Sequence, residues 1–326
     1  MVQRSTIVNN IFDESISFHT KALQVWEYQF QYNNVYREWC RLMQVETISA
    51  VSAIPFLPIS FFKTHIVKTN VFEPMQVFES SGTTTTVNSR HYVKDVDLYR
   101  QSFMHGFERM YGDIKDWCII GLLPAYLERE NSSLVVMVDA LIKESGHEQS
   151  GFYLYEFDAL QKIFVELESR QQKTLLIGVT FALLDFSEQN PIYLKNTIVM
   201  ETGGMKGRRK ELTRQELHGI LCNSFGAHSI HSEYGMTELL SQAYSKGSGR
   251  FYCPPWMKVL VRDEEDPLNV KEEGSGVLNI IDIANIDSCS FIATDDAGIV
   301  YEDGSFEVLG RVDNSDIRGC SLLVVS

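Results

Sequence analysis

No apolar run in this sequence approaches the roughly 18 residues of a membrane span. The first ten residues, Met1 to Asn10, lack the apolar stretch of a secretory signal. Both absences predict a cytoplasmic protein with no membrane span. Six cysteines are present (Cys40, Cys118, Cys222, Cys253, Cys289 and Cys320), yet no two form a C-x-x-C pair. That scatter disfavours a zinc site or a disulfide framework and predicts reduced thiols. Basic residues are the scarcer charge, 29 Lys plus Arg against 43 Asp plus Glu, which leaves a formal charge of -14. The balance argues against a nucleic-acid partner, although a local basic patch on phosphates remains compatible with it. A Gly-Lys-Ser/Thr ending is missing as well, so there is no Walker-type phosphate loop.

What is present reads as an ordinary globular chain of 326 residues, large enough for one big core or two domains. From Asp13 to Met43, Phe, Trp, Tyr and Leu recur at helical spacings without proline or glycine, which predicts one or two amphipathic helices. Ile54-Pro55-Phe56-Leu57-Pro58 cannot continue them, because proline lacks an amide donor and restricts its predecessor. Beyond Val71, apolar runs (Trp117 to Leu123, Thr174 to Thr180, Thr197 to Met200) alternate with amphipathic stretches (Ser132 to Lys143, Thr213 to Asn223), the pattern of an α/β sheet. After Gly247, β-branched runs broken by turns predict a β-rich subdomain: Lys258 to Arg262, Gly276 to Ile283, Gly298 to Tyr301 and Ser305 to Leu309. The expected organisation is a helical N-terminal segment over 1–70, an α/β nucleotide-binding core over 71–246 and a β-rich part over 247–326.

Three clusters carry candidate chemistry. Ser80-Ser81-Gly82-Thr83-Thr84-Thr85 and the residues to Arg90 follow the apolar Val77-Phe78 and offer hydroxyls and successive amides to a polyphosphate such as that of ATP. A plain Ser/Thr-rich loop has the same composition. In His231-Ser232-Glu233-Tyr234-Gly235-Met236-Thr237-Glu238, Tyr234 suits stacking on a base, Thr237 an α-phosphate and Glu238 a magnesium ion. The structural alternative is a strand end turning into a capped helix, and His228 and His231, despite metal-like spacing, fit a structural pair. In the third cluster, Thr294-Asp295-Asp296-Ala297-Gly298 followed by Gly310-Arg311, a carboxylate at Asp296 suits two ribose hydroxyls and Arg311 adds a charge-assisted bond. Turns bearing solvated charges are the alternative there.

Taken in order, the three clusters resemble the motifs of the adenylate-forming superfamily of acyl-CoA synthetases. One branch is similar nearly end to end: the LuxE-type acyl-protein synthetases. The shared stretches include Ile54 to Ile59 with Phe62-Lys63, Leu123 to Arg129 with Ser132-Ser133-Leu134, Gly203-Gly204-Met205-Lys206, and Asp316-Ile317-Arg318-Gly319-Cys320-Ser321-Leu322. The resemblance implies one large adenylation domain without the small mobile domain that carries a catalytic lysine in ordinary members. It implies ATP and Mg2+ as cofactors, a fatty acid as substrate, nucleotide contacts at Gly203 and Gly204, and Cys320 as the thiol that receives the acyl group for a reductase partner. Where the phosphate loop of ordinary members has its second glycine, proline and lysine, this chain has Thr85, Val87 and Asn88. Lys206, Arg90, Arg208 and Arg209 are then the candidate cations for adenylation, although solvated surface charges are the alternative and the better reading of Arg208 and Arg209. Two rival functions stand beside this one: an acyl-CoA ligase or half-ligase serving free CoA or an acyl carrier protein, and a non-catalytic AMP-binding subunit.

Overall fold

The computed structural model describes residues 2–80, 87–123, 131–203 and 212–312. Its helical start consists of α1 (Arg4–Asn10), α2 (Phe18–Tyr32) and α3 (Asn34–Leu42), followed by β1 (Leu57–Pro58) and the single turn α4 (Phe61–Thr64). The Ser17 hydroxyl accepts from the Thr20 amide at the start of α2, and the Asn33 side chain accepts from Tyr36 at the start of α3. Each cap satisfies an amide that the helix itself leaves unpaired.

A two-stranded ribbon, β2 (Gln76–Glu79) and β3 (Arg90–Val93), leads through α5 (Val96–Tyr111) into alternating strands and helices. These are β4 (Cys118–Leu122), α6 (Ser133–Ser145), β5 (Gly151–Phe152), α7 (Phe157–Ser169), β6 (Thr174–Val179), α8 (Thr180–Gln189), β7 (Thr197–Thr202), α9 (Arg214–Phe225) and β8 (His231–Tyr234), with β9 (Ala243–Ser245) closing the series. They form a sheet of order β5-β4-β6-β7-β8-β9, parallel except for the last pair. All residues of β4 and β6 are buried, the signature of a parallel sheet covered on both faces. The α9 start carries a capping box, Thr213 and Glu216 each bonding the other's backbone amide.

The remaining strands, β10 (Met257–Arg262), β11 (Val270–Lys271), β12 (Gly274–Asp282), β13 (Phe291–Val300) and β14 (Phe306–Arg311), build a second sheet. Its order is β1-β13-β12-β10-β11, with β14 on the other part of β13. All its pairings are antiparallel apart from β1 with β13. The N-terminal helices are fastened to it: Gln29 Nε2 donates to the carbonyls of Ile286 (2.9 Å) and Asn285 (3.1 Å), while the Ser290 amide donates to Gln29 Oε1 at 2.9 Å. Arg4 grips Asp287 through two bonds of 2.7 and 2.6 Å. The whole therefore shares one hydrophobic core, running from Ile7 on α1 to Phe306 on β14.

Two of the structural alternatives fall. The chain after β8 does not enter a helix; it turns through Gly235 to Leu240 and returns as β9. Thr294 to Gly298 is no turn with solvated charges but the middle of β13, where Asp296 is buried at 7% exposure.

Candidate active site

Strands β7 and β8 run parallel, so both end on the same edge of their sheet, where open α/β sheets bind ligands. The Gly203 carbonyl just past β7 is held by the Thr180 hydroxyl at 2.5 Å. Tyr234 ends β8, and its hydroxyl donates to Asp296 Oδ2 at 2.7 Å, tying the parallel sheet to the middle of β13 in the other sheet. Arg311 on β14 lies opposite Asp296 in register and places Nε 3.4 Å from Oδ1. A carboxylate has about four acceptor sites, so Asp296 keeps room for two more donors. The Tyr234 ring packs edge-on to Phe306 at 5.2 Å and tilts against Phe251 at 5.8 Å. Burial and the Asp296 charge push its hydroxyl well above the usual range, which keeps it a donor.

A cleft of about 170 Å³ opens between these elements, lined by Glu79, Ser132, Gly203, Glu233, Gly235 and Thr237 among others. Ser80 closes the base of the ribbon loop: its amide donates to the Ser89 carbonyl at 3.1 Å and its hydroxyl accepts from the Ser89 amide at 2.9 Å. The Glu79 amide donates to the Asn131 carbonyl at 2.9 Å, joining the ribbon to the segment before α6. The structure thus brings Ser80, Gly203, Tyr234, Gly235, Met236, Thr237, Asp296 and Arg311 around one edge. Ser81, Gly82, Thr83, Thr84, Thr85, Gly204, Lys206 and Cys320 lie outside the described residues.

Glu238 is 5% exposed, and burial raises its pKa while a hydrogen bond with Ser89 opposes the shift. It stands at the root of the ribbon loop rather than on the cleft wall. Magnesium bound with a nucleotide takes one or two protein carboxylates and draws its other oxygens from phosphate and water. A single carboxylate there fits that need, and among the described residues no group of three His, Cys, Asp or Glu forms a self-sufficient metal site. His228 is exposed, and His231 Nδ1 pairs instead with the Tyr111 hydroxyl at 3.1 Å.

Residues that the motifs did not single out hold this arrangement. His91 on β3 places Nδ1 2.9 Å from the Thr237 carbonyl and Nε2 2.9 Å from Asn285 Oδ1. Asn285 Nδ2 in turn donates to the Glu238 carbonyl at 2.7 Å, so the two residues grip the backbone on both sides of the Thr237–Glu238 peptide. Burial pushes the His91 imidazole down to about 4 although both oxygens favour its charged form, and the neutral ring has a single N–H to give to one of them. Glu233, preceding Tyr234, accepts from the Thr202 hydroxyl at 2.5 Å, and burial pushes its carboxyl up to about 7. Its only signal in the sequence is a second carboxylate in the motif that ends in Glu238. His91 gave none, since a lone histidine in a strand carries no spacing.

At 23% identity over 340 residues, the chain is similar to the Long-chain-fatty-acid--luciferin-component ligase of Aliivibrio fischeri, covering 95% of this chain and 89% of that protein. The ligase of the same name from Vibrio harveyi is 22% identical over 91% of this chain and 84% of its own. Among solved structures, ATP-bound MatB from Rhodopseudomonas palustris superimposes with a TM-score of 0.54 at 15% identity, covering 72% of this chain and 47% of that one. The AMP complex of O-succinylbenzoate Coenzyme A Synthetase (MenE) from Bacillus subtilis gives 0.50 at 15% identity, over 85% and 54%. The chain thus spans about half the length of these solved neighbours, and they establish its fold, that of the large domain of adenylate-forming enzymes. The family model of the acyl-protein synthetase LuxE matches residues 11–326, and the chain belongs to that family of adenylate-forming ligases.

Proposed function

We propose that this protein activates a long-chain fatty acid with ATP and passes the acyl group to a thiol. The observation that carries the reading is the Tyr234–Asp296 hydrogen bond, which fixes a phenol and a buried carboxylate together at the strand ends with Arg311 beside them. Asp296 takes the two ribose hydroxyls, Tyr234 and the Gly235-Met236 backbone border the adenine, and Thr237 bonds the α-phosphate. Ser80 to Thr85 and Gly203-Gly204 surround the phosphates. Glu238 would hold magnesium, which would supply neutralisation of phosphate charge.

In the first step a carboxylate oxygen attacks the α-phosphorus in line, the bond to the bridging oxygen breaks, and pyrophosphate leaves. The protein's share is positioning and charge neutralisation, with Lys206 the proposed cation for adenylation. In the second step a thiolate attacks the acyl carbonyl, and the bond to the AMP oxygen breaks. Cys320 is the proposed nucleophile, loading an acyl group for a reductase or an acyl carrier protein. Both ligases similar over most of this chain are named for long-chain fatty acids and a luciferin component, which supports the substrate.

Acid-dependent exchange of labelled pyrophosphate into ATP tests the first step, and its absence with every fatty acid ends the proposal. Lys206→Met is expected to slow that exchange at least tenfold. A protein-bound, hydroxylamine-labile acyl label that disappears in Cys320→Ser supports the second step. A soluble product that forms only with added CoA points to a CoA ligase instead.

A further inference from the structure

A second pocket, of about 730 Å³, adjoins the cleft through Gln242, which lines both. It is lined by Gly106 and Met110 of α5 with Tyr244, Cys253 and Pro254, and opens to solvent along the exposed Arg109, Lys246, Ser248 and Tyr252. The cleft alone, about 170 Å³, falls below the roughly 300–1,000 Å³ of ordinary ligand pockets and already faces the nucleotide edge. The adjoining cavity falls within that range.

Resting on the function proposed above, we infer that this cavity houses the alkyl tail of the acid, and that Gln242 is the partition that sets chain length. Gln242 is 5% exposed, yet its Oε1 has no hydrogen-bond partner. Buried polar atoms left unpaired are rare and call for an explanation. An unbonded acceptor gives up no hydrogen bond when the side chain swings aside, so a chain entering from the cleft displaces it cheaply. The Tyr244 hydroxyl, on the next inward position of β9 lining the cavity, is likewise buried and unpaired. Gly106 keeps the pocket wide: a Cβ there meets a single atom, Tyr244 Cε2, at 4.0 Å. Each methylene that moves from water into such a space adds about fourfold to affinity.

Two substitutions fill the space without touching the nucleotide edge, Gly106→Leu and Met110→Trp. Pyrophosphate exchange is measured with acids from butanoic to hexadecanoic, and binding of a dansylated undecanoic acid is followed by fluorescence in the absence of ATP. The expected result is a loss of at least tenfold in kcat/KM for hexadecanoic acid, with butanoic acid within twofold of the parent and probe affinity falling in parallel. Gln242→Ala is expected to improve hexadecanoic over butanoic acid. Unchanged chain-length preference and unchanged probe binding in a folded filling variant place the tail elsewhere and overturn the inference, while exchange itself continues. Should no acid support exchange in the parent, the function proposed above falls, and the probe still decides whether the cavity takes an alkyl chain.

Discussion

Asp296 is the residue proposed to take the ribose, because its second pair of acceptor sites is what the Tyr234 and Arg311 contacts leave over. Asp296→Asn keeps an acceptor for the Tyr234 hydroxyl and removes the charge. Hydrogen bonds to charged groups contribute roughly 1.5–3 kcal/mol, so the Kd for ATP measured by calorimetry is expected to rise about 10- to 100-fold. An unchanged Kd would remove Asp296 from the ribose site. Glu233 has the opposite relation to an anionic ligand. With its carboxyl pushed up to about 7 it is charged at pH 8 and largely neutral at pH 6, on the wall of a cleft proposed to receive a polyanion. Glu233→Gln is therefore expected to tighten ATP binding severalfold at pH 8 and leave it unaltered at pH 6. A pH dependence that persists in the variant would assign the titration to another group.

Among the elements, the β13–β14 pairing positions Asp296 and Arg311, and Gly298 permits it. The register shifts between Ala297 and Gly298, and a Cβ at Gly298 would stand 2.3 Å from the Glu307 carbonyl oxygen, a backbone atom that yields only if β14 moves. Gly298→Ala is expected to cost about 1–3 kcal/mol in urea denaturation and to weaken ATP binding through Arg311. An unshifted midpoint would mean that the strands part without strain. The same hairpin shows where sequence was hard to read. β4, β6 and β7 are fully or largely buried and spell themselves out as apolar runs, and α6 and α9 announce their starts through Ser132 and the Thr213–Glu216 box. β13 hides because Thr294-Asp295-Asp296-Ala297-Gly298 has turn composition, and only its partners explain the burial of Asp296: the Tyr234 hydroxyl comes from 62 positions away. α8 begins at Thr180, directly after β6 ends, so an apolar strand runs into an apolar helix with no punctuation between. The order of the motifs along the chain was legible; the supports at His91 and Asn285 depend on contacts 146 and 194 positions apart.

For the molecule as a whole, buried titratable groups of opposite sign govern stability against pH. Burial pushes His91 and His231 down to about 4. Both give stability that is complete above the ordinary histidine value of about 6.5 and is lost as pH falls through about 4, because only the unfolded chain takes up protons in between. Burial pushes Glu233 up to about 7 and Asp282, despite four donors around it, up to about 6. Their stabilisation is complete below the ordinary carboxyl range and is lost as pH rises through about 6 to 7, since there the folded state holds the protons. Two groups therefore pull each way across pH 4.5–6.5, and their contributions largely offset. Glu233→Gln removes one of the four while keeping an acceptor for Thr202. The variant is expected to be more stable than the parent by up to ~3 kcal/mol at pH 8, with the difference shrinking through pH 7 to 4.5 and vanishing below. Its own stability should consequently fall more steeply than the parent's on acidification from pH 6.5 to 4.5, as the histidine contribution is then offset by Asp282 alone. Urea midpoints at half-unit pH intervals measure both, and two parallel curves would show that Glu233 keeps an ordinary carboxyl value in the fold.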